Sequence, residues 1–258
     1  MTCVGGRLVL QVSILASGSK GNSVYVEIDG IRLLIDAGIS AARIKSRLDV
    51  IGVGLNTLHA VLVTHEHVDH IRGLATLTKR YHMPVFATQG TLSHIDGPLV
   101  NTMQRVQDEL VFGDVKVHPF ATSHDAAEPC GFRIHGSACC TIATDLGVVT
   151  ETVQDAMEGA DVLVLEANHD ADLLKCGSYP WSLKRRILSS RGHLANGEAA
   201  WALMRMRRRP RKVYLAHLSE ENNRPELAHS TVTGILSSHG VHLDIETCLP
   251  QGGTGTIM

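Results

Sequence analysis

Residues 60–70 read Ala60-Val61-Leu62-Val63-Thr64-His65-Glu66-His67-Val68-Asp69-His70. The apolar, β-branched first half is predicted to be a short strand that delivers the chain to His65. His65 and His67 lie two apart as the chain leaves that strand, so they can point to the same side and grip one ion. Asp69 and His70 can then turn toward a second. One ion rarely takes more than three or four protein ligands, so a cluster this dense implies a two-metal site or some members that are not ligands. Ile71, Leu74, Leu77 and Tyr81 recur at helical spacing, which places Asp69 and His70 near a helix N-terminus.

The same arrangement, a strand followed by a metal-binding residue type, recurs outward from this stretch. Strands are predicted at 8–15, and at 23–28 and 31–35 as a hairpin around Asp29-Gly30, which opens an antiparallel sheet. Ser40 is placed as the cap of a helix running to about Leu48. Further strands are expected at 84–88, 115–120, 131–134, 140–144, 161–166, 212–216 and 241–247. Helices are expected at 151–157, at 199–206 with Asn196 as cap, and at 225–236 with Pro225 near its start. His124, Asp145 and His217 each follow one of these strands. Ligand sites of open α/β sheets gather beyond strand ends, so residues this far apart in sequence can converge there.

Composition sets the frame. A chain of 258 residues, 44% of them hydrophobic, can bury a large core and is expected to form one domain over residues 1–258. A net charge of −2 argues against an overall basic, nonspecific nucleic-acid coat. The six cysteines, Cys3, Cys130, Cys139, Cys140, Cys176 and Cys248, show no C-x-x-C pair and read as reduced, mostly buried thiols. No signal peptide and no apolar run of membrane-spanning length is apparent, so a cytoplasmic protein with no membrane partner is expected. Of the 15 histidines, His59, His82, His94, His118, His135, His229, His239 and His242 read as surface or packing residues.

The order Leu34-Ile35-Asp36, His65-x-His67-x-Asp69-His70, His124, Asp145, His217 resembles the five motifs of the metallo-β-lactamase superfamily over nearly the whole chain. The resemblance implies an α/β fold, a four-layer αββα sandwich. It also implies that His65, His67 and His124 hold one ion, that Asp69, His70 and His217 hold the other, that Asp145 bridges them, and that Asp36 supports the cluster from behind. Two divalent metal ions, manganese or zinc, are the implied cofactors. Such a pair activates water for hydrolysis of lactams, thioesters, lactones and phosphodiesters alike, so the fold does not choose the substrate.

Leu165-Glu166-Ala167-Asn168-His169 and Arg191-Gly192-His193-Leu194-Ala195-Asn196 resemble motifs of the nuclease branch. Carried over, Glu166 orients His193 as general acid, and Asp69 is both ligand and proton acceptor from water. Ser17-Gly18-Ser19-Lys20-Gly21-Asn22-Ser23, Ser123-His124-Asp125-Ala126-Ala127-Glu128-Pro129, Glu166-Ala167-Asn168-His169-Asp170 and Ala216-His217-Leu218-Ser219-Glu220-Glu221-Asn222-Asn223 are similar to the YycJ (VicX, WalJ) family of small bacterial exonucleases. That implies a 5′-to-3′ exonuclease with a nucleic acid partner, DNA. About 70 residues separate Asp145 from His217, too few for the β-CASP insertion of larger nucleases. Two basic stretches, Lys184-Arg185-Arg186 with Arg191 and Arg205 through Lys212, are candidates for gripping the strand through its phosphates. The alternatives are a small-molecule hydrolase of the same fold and a non-enzymatic metal-binding regulatory module, against which the complete ligand set argues.

Overall fold

A computed structural model describes residues 10–95, 103–105, 109–249 and 254–257. Cys3 and the first two residues of the predicted strand at 8–15 lie outside the described residues. The first half of the chain builds β1 (Leu10–Ala16), β2 (Ser23–Ile28), β3 (Ile31–Ile35), α1 (Ala41–Val50), β4 (Ala60–Leu62), α2 (Val68–Ile71), α3 (Leu74–Tyr81), β5 (Val85–Ala87), α4 (Gln89–Ser93) and β6 (Met103–Arg105). The second half builds β7 (Leu110–Phe112), β8 (Val115–Ala121), β9 (Cys130–His135), β10 (Cys139–Ala143), α5 (Glu151–Met157), β11 (Val162–Glu166), α6 (Ala171–Cys176), α7 (Trp181–Ile187), α8 (Asn196–Arg205), β12 (Lys212–Ala216), α9 (Pro225–Ser238) and β13 (Asp244–Thr247). A last strand, β14 (Thr254–Ile257), returns to pair antiparallel with β1.

These strands form two seven-stranded mixed sheets, β14-β1-β2-β3-β4-β5-β6 and β13-β12-β11-β10-β9-β8-β7. Alternation along each strand sorts the side chains into layers. Val12, Val24, Val26, Leu33 and Leu62 from the first sheet meet Val117, Phe132, Ile142, Val164 and Tyr214 from the second in one shared core. The opposite faces are covered by helices. Tyr25, Leu34 and Val61 pack under Ile44 and Leu48 of α1 and Leu74 and Leu77 of α3. Leu163, Leu165, Val213 and Leu215 pack under Ala199 and Leu203 of α8 and Val232 and Leu236 of α9. The result is the expected αββα sandwich. The segment between Asp145 and His217 is spent on α5, β11, α6, α7, α8 and β12, with no β-CASP insertion.

Parallel pairing at β3, β4 and β5 and at β10, β11 and β12 points the C-terminal ends of these strands to one rim. Asp36, Asp145 and His217, each just past such an end, all have positive φ, of 61°, 58° and 55°. Left-handed backbone is uncommon for residues with a Cβ, and its concentration here marks strain held by the surrounding fold. Gly38 allows the rim to close, since a Cβ there would lie 1.7 Å from the Asp69 carbonyl oxygen.

Several expectations need correction. Asn196 does not cap α8: Ala195 occupies the cap position without a side-chain bond, and Asn196 is turned inward to exchange hydrogen bonds with Asn223. The final predicted strand starts at Asp244, later than expected, and α6, α7 and β14 had no predicted counterpart. Ser40 does cap α1, accepting from Arg43 N. Cys130, Cys139, Cys140 and Cys248 are buried and Cys176 is exposed, and among the described residues none of them forms a disulfide. Among the described residues no helix is long and apolar enough to cross a membrane.

Candidate metal centre

The rim brings all seven proposed ligands together. Ligand atoms of His65, His67 and His124 lie within 4.8 Å of one another, as do those of Asp69, His70 and His217, while Asp145 joins His65 and His70 in a further such group. Asp145 sits between the two triads. Its Oδ2 is 3.4 Å from His70 Nε2, and its Oδ1 is 3.5 Å from His217 Nε2 and 3.9 Å from His124 Nε2. A fourth group this close comprises Asp145, Glu166, His193 and His217, whereas the eight histidines read as surface or packing residues join none of the groups among the described residues.

Most of the imidazoles are aimed by a bond at the far nitrogen, which fixes which nitrogen is offered to the cluster. His70 Nδ1 donates to Asp36 Oδ2 at 2.8 Å and His217 Nδ1 to Glu166 Oε1 at 3.1 Å. His124 Nδ1 donates to the Gly192 carbonyl at 3.1 Å, and His65 Nδ1 contacts Thr64 Oγ1 at 3.0 Å. In each of these four, Nε2 faces the cluster. Asp36 is itself held by Thr64, which donates from both its backbone N and its hydroxyl.

A cation fits this donor set. Asp145 Oδ2 and His217 Nε2 are buried polar atoms with no hydrogen-bond partner, although buried polar groups are otherwise paired. Ligand atoms awaiting an ion are orphaned in this way. Electrostatics agrees: burial lowers His70, but the Asp145 and Asp36 carboxylates overturn this and raise its pKa to about 10. His217 follows the same pattern, with Asp145, Asp69 and Glu166 outweighing burial. Without metal, these positions hold protons in its place. Burial and neighbouring imidazoles hold His65 well below its ordinary value. Asp69, despite the upward push of burial, is kept ionised by His217 and His70.

Beside the cluster stands a second unit. His193 Nδ1 donates to Glu166 Oε1 at 2.7 Å. Glu166 is fully buried at the end of β11, and its other oxygen accepts from Leu146 N at 2.8 Å and from Leu194 N at 3.4 Å. Burial opposes its charge, yet His193 and His217 hold the carboxyl well below the usual range. One carboxylate thus orients two imidazoles, that of the proposed ligand His217 and that of His193 at the cluster's edge.

Other residues were assigned no individual role from sequence. Ser17 Oγ accepts from His217 N at 2.7 Å, so the Ser17–Ser23 stretch is part of the site and not a plain turn. Asn22 Nδ2 reaches Asp69 Oδ2 at 3.3 Å and His70 Nε2 at 3.0 Å, while its Oδ1 accepts from Gly18 N. Asn168 donates to the His217 carbonyl, and Asn223 ties Ala167 and Asn168 to Asn196. His169 is buried and lowered to about 4 by desolvation, and it stays outside the metal groups.

The basic stretches separate. Arg205 through Lys212 lead into the start of β12, a full strand length of roughly 16 Å from the His217 end. Glu158, Asp161 and Asp244 engage their backbone or charges there. Lys184 is buried, donating to the Lys175 and Gly177 carbonyls, and Arg191 donates to the His124 and Ala126 carbonyls. Only the first stretch is near the site, and most of its charge is structural.

Back-to-back mixed sheets under outer helices, with a His and Asp cluster on the shared rim, define a metal-binding fold of the metallo-β-lactamase type. Residues 31–218 match the beta-lactamase superfamily domain. The chain is 41% identical to exodeoxyribonuclease YycJ of Bacillus anthracis over 90% of both chains, and 40% identical to exodeoxyribonuclease WalJ of Streptococcus pneumoniae over 95% of both. In three dimensions it is similar to the metallo-beta-lactamase fold protein YhfI of Bacillus subtilis, with a TM-score of 0.73, 17% identity and coverage of 96% of this chain and 99% of that one. The chain belongs to the beta-lactamase superfamily and, within it, to the family of the YycJ and WalJ proteins.

Proposed function

We propose that this protein is a divalent-metal-dependent phosphodiesterase, a 5′-to-3′ exonuclease acting on DNA in the cytoplasm, with residues 1–258 working as one domain. The observation that carries this reading is the His193–Glu166 pair at the edge of the ligand cluster: Glu166 holds His193 Nδ1 at 2.7 Å, which leaves the ring's other nitrogen to donate a proton. The names of the YycJ and WalJ relatives supply the substrate class. In this reading His65, His67 and His124 hold one ion, Asp69, His70 and His217 the other, and Asp145 bridges, with manganese or zinc as the metal. Bound there, the ions would acidify a water and offset charge on the phosphoryl oxygens.

The chain's own groups perform the proton transfers. Asp69 takes the proton of the attacking water as the water oxygen bonds to phosphorus. The bond from phosphorus to O3′ breaks, and His193 Nε2 gives its proton to that oxygen. Glu166 holds Nδ1, so the ring presents Nε2 to the leaving group. The remaining strand keeps a 5′-phosphate.

The test is digestion of end-labelled DNA and RNA by manganese- or zinc-loaded protein, with and without chelator. Metal-dependent shortening of 5′-phosphorylated DNA is expected. Intact DNA alongside turnover of a thioester or lactone would replace this reading with that of a small-molecule hydrolase.

A further inference from the structure

The segment between β11 and α8 carries α6 and α7 and, with the rim, borders a partly open cavity of about 180 Å³ next to the metal centre. Tyr179, Leu183 and Ile187 give it an apolar wall, and His193 and Arg186 supply hydrogen-bond donors to it. We propose that this cavity receives the 5′-terminal nucleotide of the strand, with the base against the apolar wall and the terminal phosphate on Arg186. This rests on the nuclease reading and adds to it the element that measures the strand end.

His193 protonates O3′, so the nucleotide that departs through O3′ lies on the His193 side of the scissile bond. That side is the cavity. Digestion from the 3′ end would also break a bond to O3′, but the group leaving through O3′ would then be the rest of the strand. In the nuclease reading digestion runs from the 5′ end, so the group that departs through O3′ into this space is the single 5′-terminal nucleotide.

The lining suits a nucleotide at both ends. A base can place its face on Tyr179 and the aliphatic side chains, a contact tolerant of sequence. Arg186 gives only Nε to Asp125, at 2.5 Å, which leaves its two terminal nitrogens for a ligand. A guanidinium fork held in place by a carboxylate is suited to a terminal phosphate. Lys184 and Arg191, its basic neighbours, are already spent on backbone carbonyls.

The experiment compares kcat/KM of the metal-loaded full chain on one oligonucleotide carrying either a 5′-phosphate or a 5′-hydroxyl. Wild type should prefer the phosphate by about tenfold or more, in line with charge-assisted hydrogen bonds. Arg186→Gln should bring the ratio close to one, while Arg43→Gln, an exposed arginine of α1 that does not line the cavity, should keep the wild-type ratio. Tyr179→Ala should raise KM for an intact terminal nucleotide more than for an abasic one. A wild-type ratio near one, an unchanged ratio in Arg186→Gln, or release of mononucleotides from the 3′ end would overturn the proposal and leave the nuclease standing. If wild type digests neither substrate, the nuclease reading falls and this proposal falls with it.

Discussion

Replacing Glu166 by Gln preserves shape but removes the charge and one acceptor, and the site offers the amide no satisfactory orientation. With its oxygen toward His193 and His217, the NH2 group faces Leu146 N and Leu194 N, which are donors. With the amide turned over, the backbone is satisfied but both imidazoles meet a donor at Nδ1. They would have to move their proton to Nε2, which takes the lone pair of His217 away from the cluster and spoils the orientation of His193. A hydrogen bond to a charged group contributes about 1.5–3 kcal/mol. Losing about 2.7 kcal/mol of transition-state stabilisation lowers kcat by roughly 100-fold, and disturbed orientation of a ligand costs about 10–100-fold in metal affinity. The assay is kcat on 5′-phosphorylated DNA at saturating manganese, with bound metal measured by mass spectrometry. A Gln variant within about threefold of wild type in both quantities would refute the shared-carboxylate reasoning.

Other consequences can be measured separately. Because the metal-free pKa of His70 is raised to about 10 and that of His217 is also raised, both are protonated at neutral pH, and metal must displace those protons. Affinity for manganese should therefore rise with pH toward about 10, with proton release seen by calorimetry in buffers of different ionisation enthalpy; affinity flat from pH 7 to 9 would contradict this. Gly38→Ala should cost at least about 3 kcal/mol by forcing the rim apart at Asp69, seen as a fall in Tm of roughly 6–12 °C, and an unchanged Tm would show that the rim can yield. Arg207→Gln and Arg209→Gln, at the far end of β12, should change DNA affinity less than about twofold, a point that filter binding at fixed salt decides.

What the sequence made legible, and what it did not, follows from how far each signal reaches. Strand positions show because one face of each sheet packs on the shared core and the other on helices, so Ala60–Leu62 and, after Lys212, Val213–Ala216 are hydrophobic throughout. Ligand candidates show because histidine and aspartate directly after such runs are rare enough to stand out. Thr64, Asn22, Ser17, Asn168 and Asn223 do not show, because small polar residues in loops have no periodicity and find their partners only in three dimensions. The six- and seven-residue helices α6 and α7 are too short for helical periodicity to register, though Asp170, which accepts from Asp172 N and Leu173 N, was an available cap signal. Charge runs misled for a related reason: composition shows the basic residues of 205–212 but not the end of the sheet they occupy.

The central claim is that metal holding and proton donation reside in different residues of one rim. Its most direct measurement is the His193→Ala variant, assayed for bound metal and for digestion of 5′-phosphorylated DNA in the same preparation. The account predicts metal content equal to wild type, since none of the four aimed ligand imidazoles depends on His193, with digestion reduced by roughly 10²–10⁴-fold. Digestion at the wild-type rate, or loss of metal along with activity, would contradict it.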